Sequence, residues 1–179
     1  MTQARPELSW PRIAQTRDGA EYLIRAIRPD DAARERAFIL SLSPESRFQR
    51  LMYTVREPSD AFVEQLVHVD YHETMALVAV VGAGVDERIV GVARYAIDES
   101  GEDCEFAVAV SDDWQGRGIG TTLGRDLFEY ARREGFRSIY GTMLRDNARM
   151  LNLARWLDLE IDSAARGQDT VRATRWLRK

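Results

Sequence analysis

The hydrophobic pattern of this chain changes period at one place, between residues 104 and 131. Cys104, Phe106, Val108 and Val110 alternate with Glu105, Ala107 and Ala109, the period of two expected of a strand with one bulky and one small face. Beyond a short turn, Ile119, Leu123, Leu127, Tyr130 and Ala131 recur at helical spacing and leave Arg125, Asp126, Glu129, Arg132 and Arg133 for solvent. The join is Gln115-Gly116-Arg117-Gly118-Ile119-Gly120. Its alternate glycines let the backbone take positive φ angles and approach a ligand closely. The pattern predicts strand, glycine-rich loop and helix.

The same reading extends along the chain. Residues 13–16 and 21–28 form two strands around Arg17-Asp18-Gly19, Asp-Gly being a hairpin signal. Three helices follow: from Pro29-Asp30-Asp31 to about residue 41, from Ser43-Pro44 through Met52, and from Ser59 to about residue 67. The apolar run 75–81 is a buried strand and 89–97 the next. After the central helix, Gly135 is a stop signal and 138–144 a strand. A helix crossing between two strands implies a parallel pair. A further helix opens at Asp146-Asn147, and residues 158–162 and 170–177 make a last hairpin, with Arg172, Arg175 and Arg178 as a solvated edge. The expected fold class is α/β: a mixed, mostly antiparallel sheet with one parallel strand pair, flanked by helices.

Composition narrows the classes. A length of 179 residues with 45% hydrophobic and 30% charged positions suits one globular domain, residues 1–12 forming a loose arm with Trp10 as its first anchor. The formal net charge of −4 argues against nucleic acid or an anionic membrane as the main partner. With no long apolar run and a polar N-terminus, a cytoplasmic location is expected. The one cysteine, Cys104, forms no internal disulfide. His68 and His72 lack a third ligand nearby, so no metal is expected.

A glycine loop that opens a helix aims unpaired N–H groups and the positive end of the helix dipole at one spot, which suits a phosphate. Two familiar phosphate loops do not fit. A Walker loop needs Gly-Lys-Ser/Thr, yet Thr121 follows Gly120 directly, and Thr121 also stands where a dinucleotide fingerprint has its third glycine.

The spacing Gln115, Gly118, Gly120 after a valine-rich strand resembles the Q/R-x-x-G-x-G/A acyl-CoA loop of the GNAT acetyltransferase superfamily. The resemblance implies the GNAT fold, with the parallel pair splayed around an acyl-CoA site and acetyl-CoA as co-substrate. It gives the pantetheine arm to Val108, Ala109 and Val110, and the pyrophosphate to Gln115, Gly116, Arg117, Gly118, Ile119, Gly120 and Thr121. Asn147 would hydrogen-bond the pantetheine or cap its own helix. The segments IRPDD, LSPESR, VDYHETMALVAV, RIVGVARY, CEFAVAVSDDWQGRGIGT and NARMLNLARWL are similar to the acetyltransferase domain of bacterial Pat-type protein lysine acetyltransferases. Two positions depart from the family: Ala154 where a proton-donating tyrosine is common, and Asp158-Leu159 where Gly-Phe is usual.

A lysine amine with pKa ~10.4 is a free nucleophile in only about one molecule in a thousand near neutral pH, so a base must take its proton. Glu105, on the small-residue face with Ala107 and Ala109, is the expected general base, partly desolvated there; the Pat-type resemblance implies a glutamate at this strand position. Asp70 is the next base to consider. Cys104 lies on the bulky face without an adjacent histidine and reads as a structural thiol. The expected activity is direct acetyl transfer from acetyl-CoA to an amine, a protein lysine before a small amine. The alternative is a non-catalytic acyl-CoA sensor. The acceptor, and the choice between monomer and homodimer, are not legible.

Overall fold

A computed structural model describes residues 10–51, 57–162 and 169–178. Among these, eight strands form one sheet in the order β1-β2-β3-β4-β5-β6-β8-β7. The strands are β1 (Arg12–Gln15), β2 (Glu21–Ala26), β3 (Thr74–Val81), β4 (Arg88–Ile97), β5 (Asp103–Val110), β6 (Ser138–Leu144), β7 (Glu160–Asp162) and β8 (Thr170–Trp176). The helices are α1 (Ala32–Ser41), α2 (Pro44–Leu51), α3 (Asp60–Val67), α4 (Ile119–Glu134) and α5 (Ala148–Trp156). Neighbours are antiparallel except β5 and β6, which run parallel because α4 carries the chain back between them. This is the mixed α/β sheet expected.

The middle of the sheet is covered on both faces, which is why β3 reads as an unbroken apolar run. On one side Val78, Val80 and Val92 pack under Phe38, Ile39 and Val67 of α1 and α3. On the other, Leu77, Tyr95 and Phe106 meet Leu123, Leu127 and Phe128 of α4. The cluster under α1 and α3 contains no residue of β6, β7 or β8. On that side Glu105 and Glu160 are exposed, as is Trp176 at 58%.

Local signals placed the helix ends. Ser59 Oγ accepts from Phe62 N–H at 3.2 Å, Ser43 Oγ from Ser46 N–H at 3.1 Å, and Gly135 ends α4 in the left-handed region at φ 90°. Asp158 stands just past α5 at φ 57°, a conformation that glycine adopts more readily. Residue 52, the expected end of the second helix, lies outside the described residues. The expected solvated edge of arginines requires correction. β8 is an inner strand, paired with β6 along all seven residues and flanked by β7. Arg172 lies 3.5 Å over the Tyr140 ring, and Arg175 donates to the Leu157 carbonyl at 2.8 Å.

The parallel pair is short. Asp103, Cys104 and Glu105 face Ser138, Ile139 and Tyr140, and there the pairing stops. The next pair would be Phe106 with Gly141. A Cβ on Gly141 would stand 2.7 Å from Phe106 Cε1, so the ring occupies that space. Phe128 braces the ring edge-on at 4.9 Å. From this point β5 and β6 diverge. Replacing Gly141 with Ala should destabilise the protein by about 1–3 kcal/mol through overpacking, read by chemical denaturation. Phe106→Leu in the same chain should recover part of that loss. An unchanged midpoint for Gly141→Ala would refute the wedge.

The loop before β3 is tied to the end of α4. His72 Nδ1 meets Glu134 Oε2 at 2.7 Å, and its ring stacks on Phe136. The hydrogen bond to Glu134 raises the His72 pKa above its ordinary value. A raised folded-state pKa gives stability that is full below the unfolded value and fades as pH rises through the folded one. Glu134→Gln should therefore melt below the wild type at about pH 5.5 and together with it at about pH 8.5, by calorimetry. An equal deficit at both pH values would sink this assignment.

Candidate acyl-CoA site

The divergence of β5 from β6 opens a cleft of about 360 Å³. One wall is the free edge of β5. Ser111 N–H donates to Val90 of β4 at 2.9 Å, and alternation turns the N–H groups of Val108 and Val110 the other way, into the cleft. They are unpaired by any strand, since β6 has already left. An extended ligand with amides of its own could pair there as a strand would.

At the end of this edge the chain makes the glycine loop. Gly116 (φ 72°) and Gly118 (φ 97°) adopt the left-handed conformation, Gly118 as the N-cap of α4. Gly120 is helical, and a Cβ there would make ordinary contact with Val108, Val110 and Leu153 at 3.6–3.7 Å. No side chain caps the helix, and its first turn holds no acidic residue. The amides at the start of α4 are thus open to an anion.

Gln115 braces the loop. Its Nε2 donates to the Val110 carbonyl at 3.0 Å and to Ser46 Oγ at 3.3 Å, and its Oε1 accepts from Arg149 of α5. Ser46 in turn donates to Asp112 Oδ1 at 2.8 Å, and Asp112 also accepts from the Ser43 backbone and hydroxyl, both at 3.0 Å. The start of α2 is therefore pinned to the glycine loop.

Val108, Ala109, Val110, Gln115, Gly116, Gly118, Ile119, Gly120, Thr121 and Asn147 all line the cleft. Ile119 is a core residue, 1% exposed, so only its backbone can serve a ligand. Asn147 Oδ1 accepts from Met150 N–H at 3.0 Å as a helix cap, which leaves Nδ2 for a ligand. The Arg117 side chain turns away, paired with Asp18 and stacked 4.5 Å over Trp114. Sequence reasoning missed Arg17, Ser46, Arg149 and Trp156, which reach the cleft from the β1–β2 turn, α2 and α5.

Glu105 lies at the apex of the split, on the face opposite α4. Its Oε1 accepts from Thr142 Oγ1 across the gap at 3.1 Å. The expected partial desolvation is absent: the residue is exposed, and the apolar cluster under α1 and α3 does not include it. Ala154, where a tyrosine was sought, is fully buried, and among the described residues no tyrosine lines the cleft. Asp70 is a poor substitute base. Its Oδ1 already accepts from Thr74 and His72 backbone N–H groups at 2.8 and 3.0 Å, and these bonds hold its pKa below the usual carboxylate range. The Cys104 thiol is buried and burial pushes its pKa up to about 12, which removes it as a nucleophile. His68 contacts Glu64 and His72 contacts Glu134. Among the described residues no group of three or more His, Cys, Asp or Glu could hold a metal, and no helix is long and apolar enough to cross a membrane.

Residues 29–158 match the model of the acetyltransferase (GNAT) family. The chain belongs to that family. It is 42% identical over 136 residues to Acetyltransferase PA5475 of Pseudomonas aeruginosa, covering 76% of this chain and 73% of the other. It is 31% identical over 141 residues to Acetyltransferase Pat of Mycolicibacterium smegmatis, covering 78% of this chain but only 41% of that protein. In fold it is similar to the GNAT domain of S. lividans PAT, with a TM-score of 0.86 at 24% identity over 96% of this chain and 99% of the other. The chain is thus a GNAT acetyltransferase, a family that takes its acetyl group from acetyl-CoA.

A carboxylate set into the first turn of α4 should expel an anionic ligand. Gly118→Glu and Thr121→Glu, the latter without backbone strain, should each weaken acetyl-CoA binding at least tenfold, about 1.4 kcal/mol or more, by titration calorimetry. Unchanged affinity in both would exclude the loop as the pyrophosphate site.

Proposed function

We propose that this single domain transfers acetyl from acetyl-CoA to the side-chain amine of a protein lysine, in a ternary complex, with Glu105 as general base. The observation that carries the reading is the split at Phe106, because it makes one opening that joins two faces of the sheet. Pantetheine lying along the free edge of β5 would bring its thioester to the apex, beside Glu105. The acceptor would then arrive from the uncovered face.

That face favours a polypeptide over a small amine. Glu105, Tyr140, Thr174 and Glu160 fall in one row across four strands, the two carboxylates exposed at its ends and Tyr140 buried under Arg172 between them. Three strand spacings of about 4.8 Å make that row roughly 14 Å long. Such a surface suits an extended cationic segment better than an isolated amine. The relative named Pat favours the same reading.

In the reaction the amine nitrogen would attack the thioester carbonyl carbon, its proton passing to Glu105. The N–C bond forms, the C–S bond breaks, and CoA leaves as its thiolate to be protonated from solvent. An N–H of the free β5 edge would stabilise the oxyanion. Thr142, bonded to Glu105 Oε1, would keep the carboxylate turned to the apex. A chain using acetyl-CoA in this way would work in the cytoplasm.

Glu105→Gln should leave acetyl-CoA affinity unchanged and lower turnover on a lysine peptide by about two to four orders of magnitude near neutral pH. Alkaline pH should partly rescue the variant, because more amine is then already deprotonated. Turnover at the wild-type rate would remove Glu105 as the base. Binding without any CoA release, over a panel of lysine peptides and small amines, would favour a sensor instead.

A further inference from the structure

Two cations line the cleft, Arg17 and Arg149, and neither has an ion-pair partner among the described residues. Arg117 is paired with Asp18, and Arg149 is held by Gln115. Arg17 faces no carboxylate in hydrogen-bonding range among the described side chains. Its root is nevertheless fixed, because its backbone N–H donates to the Arg117 carbonyl at 3.0 Å and Asp18 beside it holds the Arg117 guanidinium. The β1–β2 turn is therefore fastened to the glycine loop through both residues.

From that root the side chain passes Gly118, with Cγ and Nε 3.6 and 3.8 Å from where a Cβ would stand. Its guanidinium lies over the Trp156 indole at 5.8 Å. Trp156 is itself 60% exposed at the end of α5, an uncommon position for an indole that lines a cleft. A cation and a flat aromatic surface thus stand together in the lining of the cleft, beside the glycine loop.

This inference rests on the acetyl-CoA reading of the cleft. If pantetheine follows β5 and the pyrophosphate meets the start of α4, the rest of the cofactor must leave between the β1–β2 turn and α5. That remainder is an adenine and a ribose carrying a 3′-phosphate. We infer that Arg17 and Trp156 form the nucleotide end of the site, the guanidinium taking the 3′-phosphate and the indole stacking the adenine. A planar guanidinium makes charge-assisted bonds to phosphate oxygens, and base stacking on an aromatic ring needs only an open face. The protein then distinguishes CoA thioesters from their 3′-dephospho forms, through a residue outside the glycine loop.

Titration calorimetry with acetyl-CoA and acetyl-3′-dephospho-CoA tests this on the unaltered protein first. The wild type should bind acetyl-CoA at least about tenfold more tightly. Arg17→Ala should bring the two ligands within about twofold of each other by weakening acetyl-CoA alone, while Trp156→Ala should weaken both alike. A wild-type ratio near one overturns the inference but leaves acetyl-CoA binding intact. A ratio that survives Arg17→Ala, or that vanishes only in Arg149→Ala, moves the phosphate to α5 and overturns it too. Failure to bind either ligand overturns this inference together with the acetyl-CoA reading.

Discussion

The Phe106 ring lying where Gly141 has no side chain is the contact on which the site depends. Parallel strands that begin in register would ordinarily continue to pair, because each unpaired N–H and C=O near the interior is costly. Here a buried aromatic ring, braced by Phe128, prevents the next pair, and the backbone groups of Val108 and Val110 are left without a strand. The hydrophobic gain from seating the ring, on the order of 2–3 kcal/mol, is set against a few hydrogen bonds that water or a ligand can replace. The packing of one side chain thus becomes a ligand-shaped gap.

The surroundings hold that gap open. Gln115 ties the last carbonyl of β5 to α2 and α5, and Asp112 ties the loop to the start of α2. The apolar cluster under α1 and α3 does not include Glu105, which is exposed at the apex. Enclosure on one side serves a long flexible ligand, while openness on the other suits a large acceptor. Buried charge is paired: Arg25 grips Asp31 through two bonds of 2.6 and 2.7 Å at the corner between β2 and α1, and Asp103 in the parallel pair is held by Arg137.

Most of the architecture was legible because its signals are local. Period-two alternation marked β5, the apolar run marked β3, and Ser59, Gly118 and Gly135 marked helix ends through their own backbone geometry. What escaped depends on partners distant in sequence. Nothing near Arg17 says that its turn will lie against Gly118, and nothing near Phe106 says that Gly141 will face it. The arginines of β8 resemble an edge until β7 is known to lie outside them. Glu105 was expected to be partly desolvated on the small-residue face beside Ala107 and Ala109, yet the apolar cluster on that face does not include it. The missing tyrosine at Ala154 was legible as an identity, but not what replaces it.

The bond from the Arg17 backbone to Arg117 joins the β1–β2 turn to the middle of the chain, and four strands, β2 to β5, lie between them in sequence. The loop therefore receives its final support only after the N-terminal hairpin, β3, β4 and β5 have assembled side by side. Contacts of such long sequence separation form late, since the entropy of closing the loop must be met first. The shape of the glycine loop is in this sense coupled to the N-terminal edge of the sheet, and fraying of that edge would loosen the loop.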